Sequence, residues 1–359
     1  MPQDHNDELD ENMHIFSLEE TGESEDEPVD LEEDAYELYA ATTGPGFEAA
    51  LDAIQEDTVE PVMLTGFSGM DRNQARQLKK VWASLPDDAR QPVADLVLSL
   101  GMDDLLLDFK RFFRLMIDDT LSEVREAGAN GLAMDEDEDL IDPLLKLMGG
   151  DPVTRVRGAA AQALATYTTL GEFMELPDST VRKMRNALMA IVNDASLASE
   201  LRAAALASAA VQTGDKEIVR AIERFSKSDD QDLRLGAYQA MGRAGDRLWV
   251  KHLDAASRSQ DPDIRAQAAR ALGAFEEEVV PILTMLVRED TEPAVRTDAI
   301  DALGRVGGKR ALDALQKLRP YVSDDERGLV DDALVEAQEW ADLEDLEDAF
   351  EDDPDIGAW

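Results

Sequence analysis

The chain has no cysteine, and that one absence excludes disulfides, thiolate metal sites and cysteine nucleophiles. Histidine is almost absent too. Of His5, His14 and His252, two lie in an acidic leading segment, so neither a His-rich zinc site nor a Ser-His-Asp arrangement can be assembled. Aromatics are 5% of 359 residues, which suits close helix packing more than one large aromatic core. No run approaches the roughly 18 uncharged apolar residues of a membrane span. The Met1 end also lacks the basic start of a secretory signal, so the expectation is a cytoplasmic protein with no membrane contact.

Basic residues are missing from both ends. Residues 1–71 hold 22 Asp or Glu and no Lys or Arg, and residues 328–359 hold 13 acids, again with no Lys or Arg. Of the net charge of -44, the segment between them carries only about -9, 44 acids facing all 35 basic residues. The chain therefore reads as two acidic tails on a nearly ordinary domain, although 25 Arg against 10 Lys keeps salt adaptation as a competing explanation. An acidic, apolar-poor start cannot offset the entropy of ordering, so residues 1–71 are expected to be largely disordered. Within them, a short capping helix is expected at 46–56, from Phe47, Leu51 and Ile54 at i, i+4 and i+7. Two apolar islands, His14 to Leu18 and Ala35 to Tyr39, are either incidental or short docking motifs.

What the chain does have is a repeat. Asp261 to Gly273 reads DPDIRAQAARALG: Ile264, Ala268, Ala271 and Leu272 form one apolar stripe, and Asp261 with Pro262 is an N-cap followed by proline at the first helical position. The same register begins at Ala89, Val124, Val156, Leu201, Leu233, Ile264, Val295 and Glu326, at intervals of 35, 32, 45, 32, 31, 31 and 31 residues. A period near 31 is two short helices and two turns, the mark of a solenoid. Partner helices precede the stripes, with faces such as Ile218, Ile222 and Phe225, or Leu105, Phe109, Phe112 and Met116.

These units resemble the HEAT repeat, in the short bacterial variety first recognised in phycobilisome lyases. The resemblance covers about residues 72–337 and implies an all-α fold: a right-handed α-solenoid of about eight HEAT-like helix pairs, with disordered acidic N- and C-terminal tails, the latter at 338–359. It says little about activity, because HEAT arrays serve as scaffolds, adaptors, lyases and hydroxylases. Eight units would make a curved rod about 80 Å long.

Each unit places arginine after its first stripe residue: Arg90, Arg125, Arg157, Arg202, Arg234, Arg265, Arg296 and Arg327. At 100° per residue these heads fall at the seam between repeats, and each has an acid two to six residues upstream, such as Asp263 for Arg265 and Glu292 for Arg296. A structural ladder is expected, as in the HEAT family. The residues left free lie five positions further on. Asn130, Gln162, Gln239, Arg270 and Asp301, with Arg243 and Arg305 one turn on, are the candidate protein-binding face, lining the concave surface if the array curves as HEAT solenoids do. The interval of 45 residues adds a candidate binding loop between Ala165 and Thr180, carrying Phe173, Met174 and Leu176.

Signs of chemistry are missing. No His-Glu dipeptide of the kind that binds iron in HEAT-fold hydroxylases occurs, and nothing marks a bilin site. The acids Asp135 to Asp139 lack the glycine of a calcium loop, and Lys146 stands where its bidentate glutamate belongs. A domain near -9 between acidic tails would repel nucleic acid. The tail residues Trp340, Leu343, Leu346 and Phe350 share one side of a helix, which either caps the array or folds back onto Arg243, Arg270 and Arg305. The expectation is a non-catalytic protein-protein interaction scaffold or adaptor with no cofactor and no metal, whose partners are proteins, basic ones being the natural targets. Two alternatives stand beside it: an acidic chaperone for basic proteins, and a lyase- or hydroxylase-type HEAT enzyme.

Overall fold

Asp261 does start a helix: its carboxylate accepts from the Asp263 N–H at 3.0 Å, and Pro262 takes the position whose N–H needs no partner. The same device recurs at Asp215 and Asp230, and Asp71 forms a reciprocal capping box with Gln74. In this computed structural model, which describes residues 45–211 and 214–351 with side chains as far as Leu343, such starts yield an all-α solenoid, and no strand occurs among the described residues.

The array begins with a cap, α1 (Phe47–Glu56) and the short α2 (Pro61–Leu64). Eight helix pairs follow: α3 (Arg72–Trp82) with α4 (Asp87–Asp103), α5 (Lys110–Met116) with α6 (Ser122–Gly131), α7 (Ile141–Gly150) with α8 (Thr154–Glu172), and α9 (Asp178–Asn193) with α10 (Ser199–Ala209). The remaining pairs are α11 (Lys216–Ser226) with α12 (Gln231–Ala244), α13 (Val250–Ala256) with α14 (Pro262–Leu272), α15 (Val280–Glu289) with α16 (Pro293–Val306), and α17 (Gly308–Leu318) with α18 (Asp324–Glu351). The second helix of each pair carries the arginine register.

The two rows of helices differ in composition and therefore in packing. First helices are amphipathic: α11 buries Ile218, Ala221, Ile222 and Phe225 and leaves its other side to solvent. Second helices are small-residue helices pressed between neighbours, and α10 buries every residue from Ala203 to Ala209. Successive second helices touch all along the array, whereas first helices touch one another sparsely. The second helices thus form a closely packed inner row and the first helices a looser outer row.

Residues 45–71 pack onto the first pair. The rings of Phe47, Phe67, Phe112 and Trp82 meet edge to face in series, at 5.8, 5.3 and 5.1 Å between centroids, and Leu51, Ile54, Leu64 and Met70 are buried with them. The sequence groups this stretch with a largely disordered segment; its apolar content is what folds it. At the other end α18 runs without a break through residue 337 to Glu351. It continues the array along its own axis, with Trp340 against Gly307 and Ala341 buried, so residues 338–351 do not fold back onto the inner face. The island motifs at 14–18 and 35–39 lie outside the described residues, as do Trp359 and the side chains of Leu346 and Phe350.

Candidate functional site

Seven of the arginines precede a further unit and sit at the seams, but their partners are not the upstream acids of their own units, except that Arg90 also meets Asp87; Arg327, in the last unit, pairs with Asp324 of its own helix. Arg125 takes Asp151 in two bonds of 2.7 and 3.1 Å, Arg265 takes Asp290 at 2.6 and 2.9 Å, Arg90 takes Asp119 at 2.7 Å, and Arg296 takes Glu326 at 2.7 Å. Each partner belongs to the next unit. Asp119, Asp151 and Asp290 stand five residues before that unit's first stripe residue, where each also caps a backbone N–H two residues on. The partner differs because a guanidinium at a seam faces across it, while Asp263 and Glu292 lie at exposed helix starts. Arg265 holds the Asp290 carboxyl below its ordinary range.

Three arginines make no ion pair among the described residues. The position that would supply the acid is Ser196, Ser228 or Ser259. Arg157 and Arg202 turn back to the Met148 and Val192 carbonyls at 2.7 and 3.2 Å, and Arg202 also lies over the Phe225 ring. Arg234 donates to the Ser228 and Asp229 carbonyls at 2.8 and 2.9 Å.

The row proposed as a binding face is a line along the inner surface rather than one site. Gln162 and Gln239 are exposed, Asn130 is half-buried, and Ala207, at the same register, is buried between its neighbours. The arginines in this row are not free cations. Arg270 pairs with Asp298 at 3.0 Å, and Arg305 pairs with Asp301 at 3.0 Å and donates to the Arg270 carbonyl. Burial pushes the Asp298 carboxyl up against the pull of Arg270, and burial with nearby Asp301 pushes Glu336 up. Arg243 reaches across alanine-rich α10 to α8, donating to the Ala165 carbonyl at 3.1 Å and the Thr169 hydroxyl at 3.3 Å. Burial pulls its pKa down. The expected basic cluster is thus a patch of mixed charge: Arg270 takes its acid from the neighbouring helix, Arg305 from one turn back in its own, and Arg243 bonds a carbonyl and a hydroxyl.

The interval of 45 residues is not an apolar loop. It is absorbed by lengthening α8 to 19 residues and α9 to 16, which leaves only 173–177 between them. Leu176 is buried, so it is unavailable to a partner, while Phe173 and Met174 project at the tip. Met174 has a φ of 62°, a conformation a long side chain adopts only under constraint.

A large apolar recess lies elsewhere, at the ends of α4 and α6. It encloses about 1230 Å³ and is lined by Leu98, Met102, Leu105, Phe113, Asn130 and Met134, among others. Met102, Leu105 and Met134 are all more than 60% exposed. Leu105 was assigned by spacing to the packed face of α5. The chain instead breaks after α4, and α5 begins only at Lys110, so Phe109, Phe112 and Met116 are buried without it. Cluster and recess escape the sequence because they arise from a departure from helical periodicity; the Leu105-Leu106-Leu107 run was the available signal. Beside the recess, Asp135 and Asp137 bond Arg114 at 3.0 and 2.6 Å, which gives that acidic stretch a structural role. Among the described residues no group of His, Asp or Glu is placed to hold a metal ion, and no helix is long and apolar enough to cross a membrane.

Two family models match the chain, one described as HEAT repeats over residues 249–339 and one as HEAT repeat over 140–170. Solved structures similar to it include YibA of Escherichia coli, 16% identical over 78% of this chain and 97% of that one, with a TM-score of 0.38. Another is human deoxyhypusine hydroxylase in complex with glycerol, 17% identical over 83% and 97% of the two chains, TM-score 0.32. A third is a mutant of Kap121p, 13% identical over 82% of this chain and 35% of that one, TM-score 0.41. No curated protein matches the chain.

Proposed function

Taking as premise that this chain is a HEAT-repeat protein, we propose that it is a non-catalytic scaffold or adaptor that binds a polypeptide along its inner row of helices. The observation that carries this reading is the recess at the ends of α4 and α6. Met102, Leu105 and Met134 stand exposed together there, and a contiguous apolar patch of that kind is costly to a protein that leaves it in water. Asn130, on the inner row, lines the same recess, so an extended segment following that row reaches the apolar patch without leaving the surface. The occupant that suits it is a segment with bulky apolar side chains flanked by Lys or Arg, since the chain's net charge of -44, most of it in the two ends, favours the approach of cationic segments.

The test uses a fluorescent peptide with two leucines flanked by lysines, titrated with full-length protein at physiological salt and followed by anisotropy. Binding is expected, with a loss of about tenfold or more in a Met102→Glu, Leu105→Glu double variant. Binding that the double variant leaves unchanged would refute the recess as the anchor. A chaperone-like role for the acidic ends is the second reading, supported by the 22 acids of residues 1–71. Under it, deleting residues 1–44 abolishes peptide binding while the double variant retains it.

A further inference from the structure

The seam between α12 and α14 carries a guanidinium placed to receive a carboxylate that none of the described residues supplies. In two other seams the arrangement is complete. Arg125 is held through Nη1 by the Asp119 and Thr120 carbonyls at 2.9 and 3.0 Å, and its Nε and Nη2 grip Asp151. Arg265 is held through Nη1 by the Ser259 and Gln260 carbonyls at 2.9 and 3.2 Å, and its Nε and Nη2 grip Asp290. Arg234 is held in the same way, Nη1 donating to the Ser228 and Asp229 carbonyls at 2.8 and 2.9 Å. Opposite it stands Ser259, whose hydroxyl keeps the backbone-capping half of the aspartate's role by accepting from the Asp261 N–H at 3.1 Å. The charge-pairing half has no counterpart among the described residues. Arg157 and Arg202 face serine too, but spend their Nε on a backbone carbonyl. Arg234 does not.

A recess of about 600 Å³ opens at this place, lined by Arg234, Ser259, Lys227, His252, Tyr238 and Asp261. Asp261 caps α14 and accepts from Gln231 while keeping its charge, and the cationic pair Lys227 and Arg234 outweighs it on the walls. Such walls, and a planar fork pre-oriented by two carbonyls, match the geometry of a carboxylate. We propose that this recess binds a carboxylate in two parallel hydrogen bonds from Nε and Nη2 of Arg234, at the place Asp290 fills beside Arg265. The carboxylate comes either from a small free acid or from an Asp or Glu side chain of a polypeptide. The site is separate from the apolar recess at α4 and α6 and stands whether or not that recess binds a partner.

Calorimetric titration of the full-length protein at physiological salt tests this, with succinate in one arm, an acetylated tetraglutamate peptide in a second and inorganic phosphate in a third. Saturable binding of succinate and peptide alike identifies a free-acid site, and binding of the peptide alone identifies an acidic side chain as the ligand; both uphold the proposal. Arg234→Gln should weaken the interaction about tenfold or more. Ser259→Asp should abolish it, because the chain then supplies the carboxylate itself, and should raise Tm by about 2 °C. The proposal is overturned if neither carboxylate binds at about 10 mM, if phosphate alone binds, if Ser259→Asp retains the affinity of the parent, or if that variant melts lower.

Discussion

At the scale of single residues the organising fact is that four seam arginines, Arg90, Arg125, Arg265 and Arg296, answer to an acid one unit away. Glu326 illustrates how strongly the pairing is kept. The position that should hold the acid of the last unit is Tyr321, and the carboxylate has moved to the first stripe position, where it is buried and accepts from both Arg296 and Ser323. The charged residue that looks like frayed periodicity in the sequence is the ladder's last rung. Breaking a rung leaves a half-buried guanidinium unpaired, so Asp290→Asn should cost about 2 kcal/mol near neutral pH. Arg265 lowers the folded-state pKa of Asp290 below its ordinary value of 3.8. That stabilisation is therefore complete above the unfolded value of about 3.9 and is lost as pH falls through the folded value. Thermal melts of parent and variant should differ by a constant margin above about pH 5 and converge only as pH falls below the lowered folded-state value of Asp290; a margin that persists in acid would assign the loss to packing instead.

At the scale of the helix, small residues set how closely neighbours approach. Gly242, Gly273 and Gly304 end the stripe in three consecutive units, and a Cβ at each would come within about 3 Å of the following unit, at Ala271, Ala302 and Ala333. In the repeat read as DPDIRAQAARALG the last glycine thus looks like a helix stop, yet Gly273 has an ordinary φ of -63°. Its function is close approach. Gly236 is among the tightest positions, where a Cβ would lie 2.4 Å from the Cβ of Ala203, while a Cβ at Gly158 in α8 would meet nothing within 4 Å. Gly236→Ala should destabilise by about 1–3 kcal/mol through overpacking, and Gly158→Ala should stabilise by about 0.5–1 kcal/mol through helix propensity. Urea titrations of the two variants should move in opposite directions, and a shared direction would show that propensity governs both.

At the scale of the whole molecule the array is closed at both ends by segments that the charge distribution alone would assign to solvent. The first is the aromatic cap at residues 45–71, whose Phe67 packs on Phe112 of α5. Deleting residues 1–44 should leave Tm within about 1–2 °C of the parent, whereas deleting residues 1–71 should lower it by several degrees by exposing the face of the first pair. A scanning-calorimetry comparison checks this, and equal effects of the two deletions would show that the cap contributes no stability.

The sequence by itself determined the helices, their pairing and the inner row. Caps, apolar spacing and a period near 31 residues are local properties, written within each unit and repeated often enough to be unambiguous. It also placed the arginines at the seams, because 3.6-residue geometry fixes the direction of a side chain relative to its own stripe. Only the tertiary structure decided what each side chain meets there. The acid for Arg265 is Asp290 rather than Asp263, Arg270 pairs with Asp298 of the neighbouring helix, and Arg243 crosses α10 to reach α8. Leu105 leaves the core and Leu176 enters it. Each of these outcomes depends on the distance and rotation between neighbouring helices, which the packing of small residues sets and no spacing within one helix records.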